Sequence, residues 1–190
     1  MKPIVFYHGK CLDGYSGAWA AWKAFGTRAE YRALSHEIER VPSGIKNNDV
    51  FFIDYCLPLD LFERARRIAR HSVVIDHHST HRAIGARADE FIFSLKKSGC
   101  VLAWEFFHPR KKNPALLLTI QDNDLFTLKR KKTLEIVTAL TLAKREFTAW
   151  DRMVKDFEQN KKRKTLETVG ELLIQYNDTV IDRLLELAMP

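Results

Sequence analysis

Residues 72–78 read Ser-Val-Val-Ile-Asp-His-His. The run Val73-Val74-Ile75 is β-branched and apolar without alternation, the pattern of a strand buried on both faces. It delivers Asp76, His77 and His78 at its C-terminal end, where open α/β sheets bind their ligands. Imidazole and carboxylate side by side suit a hard or borderline divalent ion such as Mn²⁺. A polar triplet after a strand also suits a plain turn.

Two further runs repeat the pattern. Ile4-Val5-Phe6-Tyr7 ends in His8, with Asp13 in the following loop just before Gly14 and a helical stretch. Val50-Phe51-Phe52-Ile53 ends in Asp54. If these three strands lie parallel, their C-terminal ends share one edge of the sheet. A cluster of carboxylates and histidines gathered there is stabilised by a cation, because like-charged carboxylates repel.

Around these strands the chain alternates. Helical stretches are expected over Tyr15–Phe25, Pro58–Arg70 and His81–Ala88, with Pro58 suited to a first helical turn. Additional strands are expected over Ala29–Leu34 and Phe91–Ser94. Ser98 is placed to cap a helix from Gly99 to Phe107, and Pro114 to open one running to Asp122. The expected fold is α/β and doubly wound, a mostly parallel sheet flanked by helices. Trp19 and Trp22, three residues apart, are read as core packing rather than a stacking platform. From Leu134 onward the pattern is helical: residues 134–143, 147–158 and 166–187, the last with one apolar face from Leu166 to Leu187. The division read from sequence is an α/β domain over 1–130 and a helical extension over 131–190.

Composition bounds the rest. The 190 residues are 46% hydrophobic, enough for a true core. Cys11, Cys56 and Cys100 show no repeated spacing, which argues for a reducing compartment and a cytoplasmic protein. No apolar stretch nears the ~20 residues of a membrane span, and no signal peptide is recognisable. The net charge of +7 is concentrated in Arg110-Lys111-Lys112, Lys129-Arg130-Lys131-Lys132 and Lys161-Lys162-Arg163-Lys164. Such clusters attract polyanions, although each alone also suits a solvated face.

Four motifs together resemble the DHH phosphoesterase superfamily: His8-Gly9-Lys10-Cys11-Leu12-Asp13-Gly14, Phe52-Ile53-Asp54-Tyr55, Ile75-Asp76-His77-His78 and Ile120-Gln121-Asp122-Asn123-Asp124-Leu125. They cover most of residues 1–127, and the short form of the first motif resembles the oligoribonuclease-like and RecJ-like branch. The resemblance implies a centre of two Mn²⁺ ions, with Mg²⁺ as a substitute. His8 and Asp13 would hold the first ion, Asp76 would bridge both, His77 and Asp122 would hold the second, and Asp54 would bind the first or bridge. Two such ions, ~3.5–4 Å apart, activate a water and clamp a phosphoryl oxygen. Asp76 and His78 are the implied catalytic residues, and His78, Lys10 and Asp124 the implied contacts to substrate. Tyr15 stands where many members carry a further Asp, which implies a weaker second site unless Asp124 compensates. Cys11 lies inside the first motif and is a less favoured ligand for a hard ion.

The expected activity is hydrolysis of phosphodiester bonds, above all in short single-stranded oligonucleotides. Exopolyphosphatase, nucleotide phosphatase and cyclic-dinucleotide phosphodiesterase activities use the same residues and stay open. So does a non-catalytic nucleic-acid-binding module on the same fold. The superfamily's second, substrate-binding domain carries a glycine-rich motif. This chain has eight glycines, no two adjacent, so that domain is expected to be absent from it. Oligomeric state is not legible.

Overall fold

Short, continuous apolar runs form the three central strands, more polar segments form the two edge strands, and helical segments cross over between them. The computed structural model describes residues 2–35 and 38–188. Five strands, β1 (Ile4–His8), β2 (Glu30–Leu34), β3 (Asp49–Ile53), β4 (His71–Asp76) and β5 (Glu90–Phe93), form one all-parallel sheet in the order β2-β1-β3-β4-β5. Helices α1 (Leu12–Phe25), α2 (Leu59–Ile68), α3 (Arg82–Gly85) and α4 (Gly99–Phe107) complete this part of the chain.

Alternate residues of the strands feed two cores, as the two-residue period requires. Ile4, Phe6, Val50, Phe52 and Val74 pack with Leu61, Phe62 and Ala65 of α2 and with Ile84 of α3. The opposite face carries Phe51, whose ring meets Phe25 of α1 at 5.5 Å and Phe107 of α4 at 5.5 Å. Trp19 of α1 is buried and stacks on Trp104 of α4, with centroids 5.2 Å apart. Helices therefore cover both faces, and the α/β fold with helical flanks is the observed one. The last expected crossover helix is shorter than read: a 3₁₀ turn at Ser79–His81 leads into the single turn of α3.

The order β2-β1-β3-β4-β5 reverses direction between β1 and β3. Chains leaving those two neighbours diverge, and the crevice left at their C-terminal ends is where doubly wound sheets bind ligands. His8 ends β1, and Asp54 follows β3 by one residue.

Two compact units divide the chain at Asn113/Pro114, earlier than the boundary after residue 130 expected from the sequence. The physical reason is α5 (Ala115–Asp124), which packs with α6 (Thr133–Leu140) and α7 (Phe147–Glu158) instead of standing as a last α/β helix. The second unit ends with α8 (Arg163–Ala188). Gly170 lets α8 meet α6 closely, since a Cβ there would lie 1.8 Å from the Glu135 carbonyl oxygen. Beyond that contact, α8 exposes Leu172, Tyr176, Ile181, Leu184, Leu185 and Leu187. Among the described residues no helix is long and apolar enough to cross a membrane.

Candidate metal centre

Each residue of the first unit's site is placed by a local requirement. Helix α1 begins at Leu12, so Asp13 lies in its first turn rather than in a preceding loop. Cys11 caps that helix: its Sγ accepts the Gly14 N–H at 3.1 Å. Gly14 is obligatory, because a Cβ would fall 2.4 Å from the His8 carbonyl oxygen. Asp54 adopts φ 54°, the left-handed conformation that Asp tolerates better than most residues. Its backbone N–H still donates to Ile75 at 2.9 Å, which pins the turn to β4.

Asp54 is the hub. It is 3% exposed, and its two oxygens face different partners. On one side Cys11 Sγ donates to Oδ2 at 3.0 Å, and His8 Nδ1 lies 3.7 Å from the same oxygen. On the other side Oδ1 has His77 Nε2 at 3.3 Å and His78 Nδ1 at 3.6 Å, yet makes no hydrogen bond. Burial works to raise its pKa. The neighbouring His77, His8 and Cys11 outweigh burial and hold the carboxyl below its ordinary value. Burial, with Asp54 beside it, pushes the Cys11 thiol well up.

Asp13 is buried and bridges helices. Its Oδ2 accepts the Gly99 N–H at 2.6 Å and its Oδ1 the Cys100 N–H at 3.0 Å, so it satisfies the first turn of α4, where Ser98 occupies the cap position. The same Oδ2 lies 3.8 Å from His77 Nε2. Gly99 permits this approach: a Cβ there would sit 2.7 Å from Asp54 Cβ and 2.8 Å from Asp13 Oδ2.

Asp76 is wholly buried at the end of β4. Its Oδ1 accepts from the backbone N–H of His77 and His78 and from His78 Nδ1, at 2.7, 2.9 and 2.8 Å. Its Oδ2 accepts from His81 Nδ1 at 2.7 Å. Burial would raise its pKa, but the hydrogen bonds from His78 and His81 carry it well below the usual carboxylate range. In return the hydrogen bond to Asp76 raises the pKa of His78.

Among the described residues of the first unit, three groups of donor atoms lie close enough to share an ion: His8 with Cys11 and Asp54, Asp54 with His77 and His78, and Asp76 with His78 and His81. Asp54 belongs to two of them. The residues fit a divalent cation on one observation in particular, the buried, hydrogen-bond-free Oδ1 of Asp54 held among imidazoles.

His8, Asp13, Asp54, Asp76, His77 and His78 thus occupy the C-terminal ends of β1, β3 and β4 and the first turn of α1. Three expectations change. Asp54, not Asp76, turns its oxygens to two ligand sets, because those of Asp76 are engaged by His78, His81 and two backbone N–H groups. Asp13 Oδ2 reaches toward His77 Nε2, and Cys11 joins His8 and Asp54 in one group of donor atoms. Tyr15 is a core residue, 2% exposed and edge-on to Tyr7 at 6.1 Å. Lys10 is exposed in the loop between β1 and α1.

Asp122 and Asp124 belong to the second unit. Asp122 is buried and accepts four hydrogen bonds from its own loop: Thr127 Oγ1 and Lys129 N–H on Oδ1, at 2.6 and 2.9 Å, and Arg130 N–H and Thr133 Oγ1 on Oδ2, at 2.9 and 2.6 Å. A carboxylate has about four lone-pair sites, so none is left for a metal. Asp122 as a metal ligand is therefore a correction: it ties the turn between α5 and α6. Asp124, at the end of α5, is exposed.

Sequence reasoning missed His81. The signal was its spacing: Asp76-His77-His78-Ser79-Thr80-His81 needs only the 3₁₀ turn to bring the third imidazole back onto Asp76.

Among known proteins, no family model matches the chain. An uncharacterized protein, R106, of Acanthamoeba polyphaga mimivirus is 29% identical over 170 residues, covering 80% of this chain and 40% of that protein. An uncharacterized protein from Helicobacter pylori G27, solved by crystallography, superposes with a TM-score of 0.62 at 11% identity, over 90% of this chain and 60% of that one. The chain thus spans about two fifths of its viral relative. The likeness to the bacterial structure is one of fold.

Proposed function

We propose that the protein is a divalent-metal-dependent phosphoesterase that hydrolyses phosphodiester bonds in short single-stranded oligonucleotides. The observation that carries this reading is the position of Asp54: a buried carboxylate at the switch point of a parallel sheet, with a different ligand set on each oxygen. His8 with Asp54 Oδ2 would hold one ion, and His77 and Asp13 with Asp54 Oδ1 the other, Mn²⁺ being the ion that suits nitrogen and oxygen donors. Bound there, two such ions supply an activated water and neutralise charge building on the phosphoryl oxygens.

The chain's own residues do the rest. Asp76 holds His78 by Nδ1, which leaves Nε2 to donate a hydrogen bond to a phosphate oxygen. The raised pKa of His78 favours the protonated, donating form. Asp76 orients the imidazole and so acts as a positioning residue. His78 is 43% exposed at its side chain, open enough to meet a polymer end. Lys10 adds a cation at the rim. The exposed Arg110, Lys111 and Lys112 of the same unit and the net charge of +7 favour a polyanion over a small neutral ester.

The test is a substrate panel with Mn²⁺: dinucleotides, short RNA, short DNA, a cyclic dinucleotide and polyphosphate, with wild type beside Asp54→Asn. Release of 5′-mononucleotides from short oligomers by wild type alone is the expected result. Faster turnover of polyphosphate or the cyclic dinucleotide would move the substrate assignment. Tight oligonucleotide binding without turnover of anything would replace the enzyme by a binding module.

A further inference from the structure

Cys11 has no role in the mechanism above, yet it stands inside the centre. Its Sγ is 3.0 Å from Asp54 Oδ2, and the donor atoms of His8, Cys11 and Asp54 all lie within 4.8 Å of one another. The three come from different segments, the end of β1, the cap of α1 and the residue after β3. Asp54 is buried, and its Oδ2 turns to Cys11 and His8 while its Oδ1 turns to His77 and His78. The Gly14 N–H donates to the same sulfur, which holds Sγ in place beside Asp54.

Imidazole, thiolate and carboxylate together are not the donors a hard ion selects. Sulfur favours Zn²⁺, Co²⁺ and softer ions, whereas Mn²⁺ and Mg²⁺ favour oxygen. We infer that Cys11 is a metal ligand, and that the position formed by His8, Cys11 and Asp54 Oδ2 takes a thiophilic divalent ion such as Zn²⁺. The His77–Asp13 side offers only nitrogen and oxygen and stays with Mn²⁺, so the pair of ions is mixed. On loading, the S–H bond that now points at Asp54 breaks, its proton leaves to solvent, and both Sγ and Asp54 Oδ2 bind the cation. One proton is released from sulfur for each ion bound.

The inference rests on the metal-centre reading, and Co²⁺ titration of the full chain separates the two. Wild type is expected to show visible d–d bands together with a thiolate-to-cobalt charge-transfer band in the near ultraviolet. Cys11→Ser is expected to keep the d–d bands, lose the charge-transfer band and bind Cd²⁺ at least about tenfold more weakly. Absorption fine structure at the zinc edge of wild-type protein needs no variant: a sulfur shell near ~2.3 Å, beside nitrogen and oxygen near ~2.0–2.1 Å, is expected. Bands without charge transfer and a zinc shell without sulfur would overturn Cys11 as a ligand while leaving a metal centre in place. A charge-transfer band that survives in Cys11→Ser would overturn it too, assigning the sulfur to Cys56 or Cys100. No Co²⁺ spectrum and no Mn²⁺ binding would overturn the metal centre itself.

Discussion

Asp54 and Asp122 are both buried carboxylates, and the sequence offered both as ligands of one metal pair. Their surroundings differ in kind. Asp122 is met by four donors within eleven residues of itself, two threonine hydroxyls and two backbone N–H groups. Asp54 gathers partners from residues 8, 11, 77 and 78 and still keeps one oxygen without a hydrogen bond. A buried charge satisfied by its own loop holds the loop. One satisfied only in part, by side chains from several strands, is where a ligand belongs. What separates the two is the inventory around the carboxylate, not the carboxylate itself.

The largest effect that would break this contrast is at position 54. Asp54→Asn keeps the left-handed backbone and removes the charge. Turnover with Mn²⁺ is expected to fall at least about a hundredfold, since even the groups that merely orient metal ligands are worth 10–100-fold. The melting temperature of the metal-free protein should fall modestly, because, against the opposing effect of burial, His77, His8 and Cys11 favour the charge that is removed. Asp122→Ala is expected to act on stability alone. It strands four donors and costs on the order of 3 kcal/mol of stability, read by chemical denaturation of the second unit. Mn²⁺ affinity by calorimetry should not change, and a large loss of affinity would restore Asp122 to the ligand set.

Gly99→Ala sharpens the comparison from the other side. Its Cβ would press on Asp54 and Asp13 at once, at a cost of about 1–3 kcal/mol. Metal affinity should weaken with it, measured in the same titration. The smallest effect is in pH. Burial opposes ionisation of Asp122, but Thr127, Thr133 and the N–H groups of Arg130 and Lys129 prevail and hold its pKa well below the unfolded value of ~3.9. Its contribution is therefore complete above about pH 4 and is lost as pH falls through the folded pKa. Denaturation of wild type and Asp122→Asn across that window should show the difference between them closing on acidification. A constant difference would mean that the hydrogen bonds do not depend on the charge.

Much of this was legible in residue order, and the reasons are particular. The three central strands were readable because parallel strands buried on both faces are apolar nearly throughout, as Val73-Val74-Ile75 is, whereas the edge strands β2 and β5 are only half-buried and more polar. The convergence of His8, Asp54 and Asp76 followed, since parallel strands end together. The pairing within the cluster was not readable. That Cys11 joins His8 and Asp54 in one group of donor atoms, and that Asp13 Oδ2 reaches toward His77 Nε2, are side-chain directions that residue order does not carry. Nor was the saturation of Asp122 readable. It depends on a loop in which Phe126, Leu128 and Lys132 all take positive φ, conformations that nothing in Phe-Thr-Leu-Lys-Arg-Lys-Lys announces. The unit boundary moved for the same reason, because that loop binds α5 to α6.

The all-parallel sheet also sets when the centre can exist. Every pairing in it waits for a crossover, so no two of its strands can form a hairpin as they are made. His8 is synthesised early, whereas Gly99, which seats Asp13, comes more than ninety residues later. At about 5–20 residues per second that interval is roughly 5–20 s. Through it, His8, Cys11 and Asp13 travel as an unassembled fragment, and chains arrested on the ribosome before Gly99 should hold no ion. If the proposed centre binds its ions, their acquisition would thus be a late event of biosynthesis.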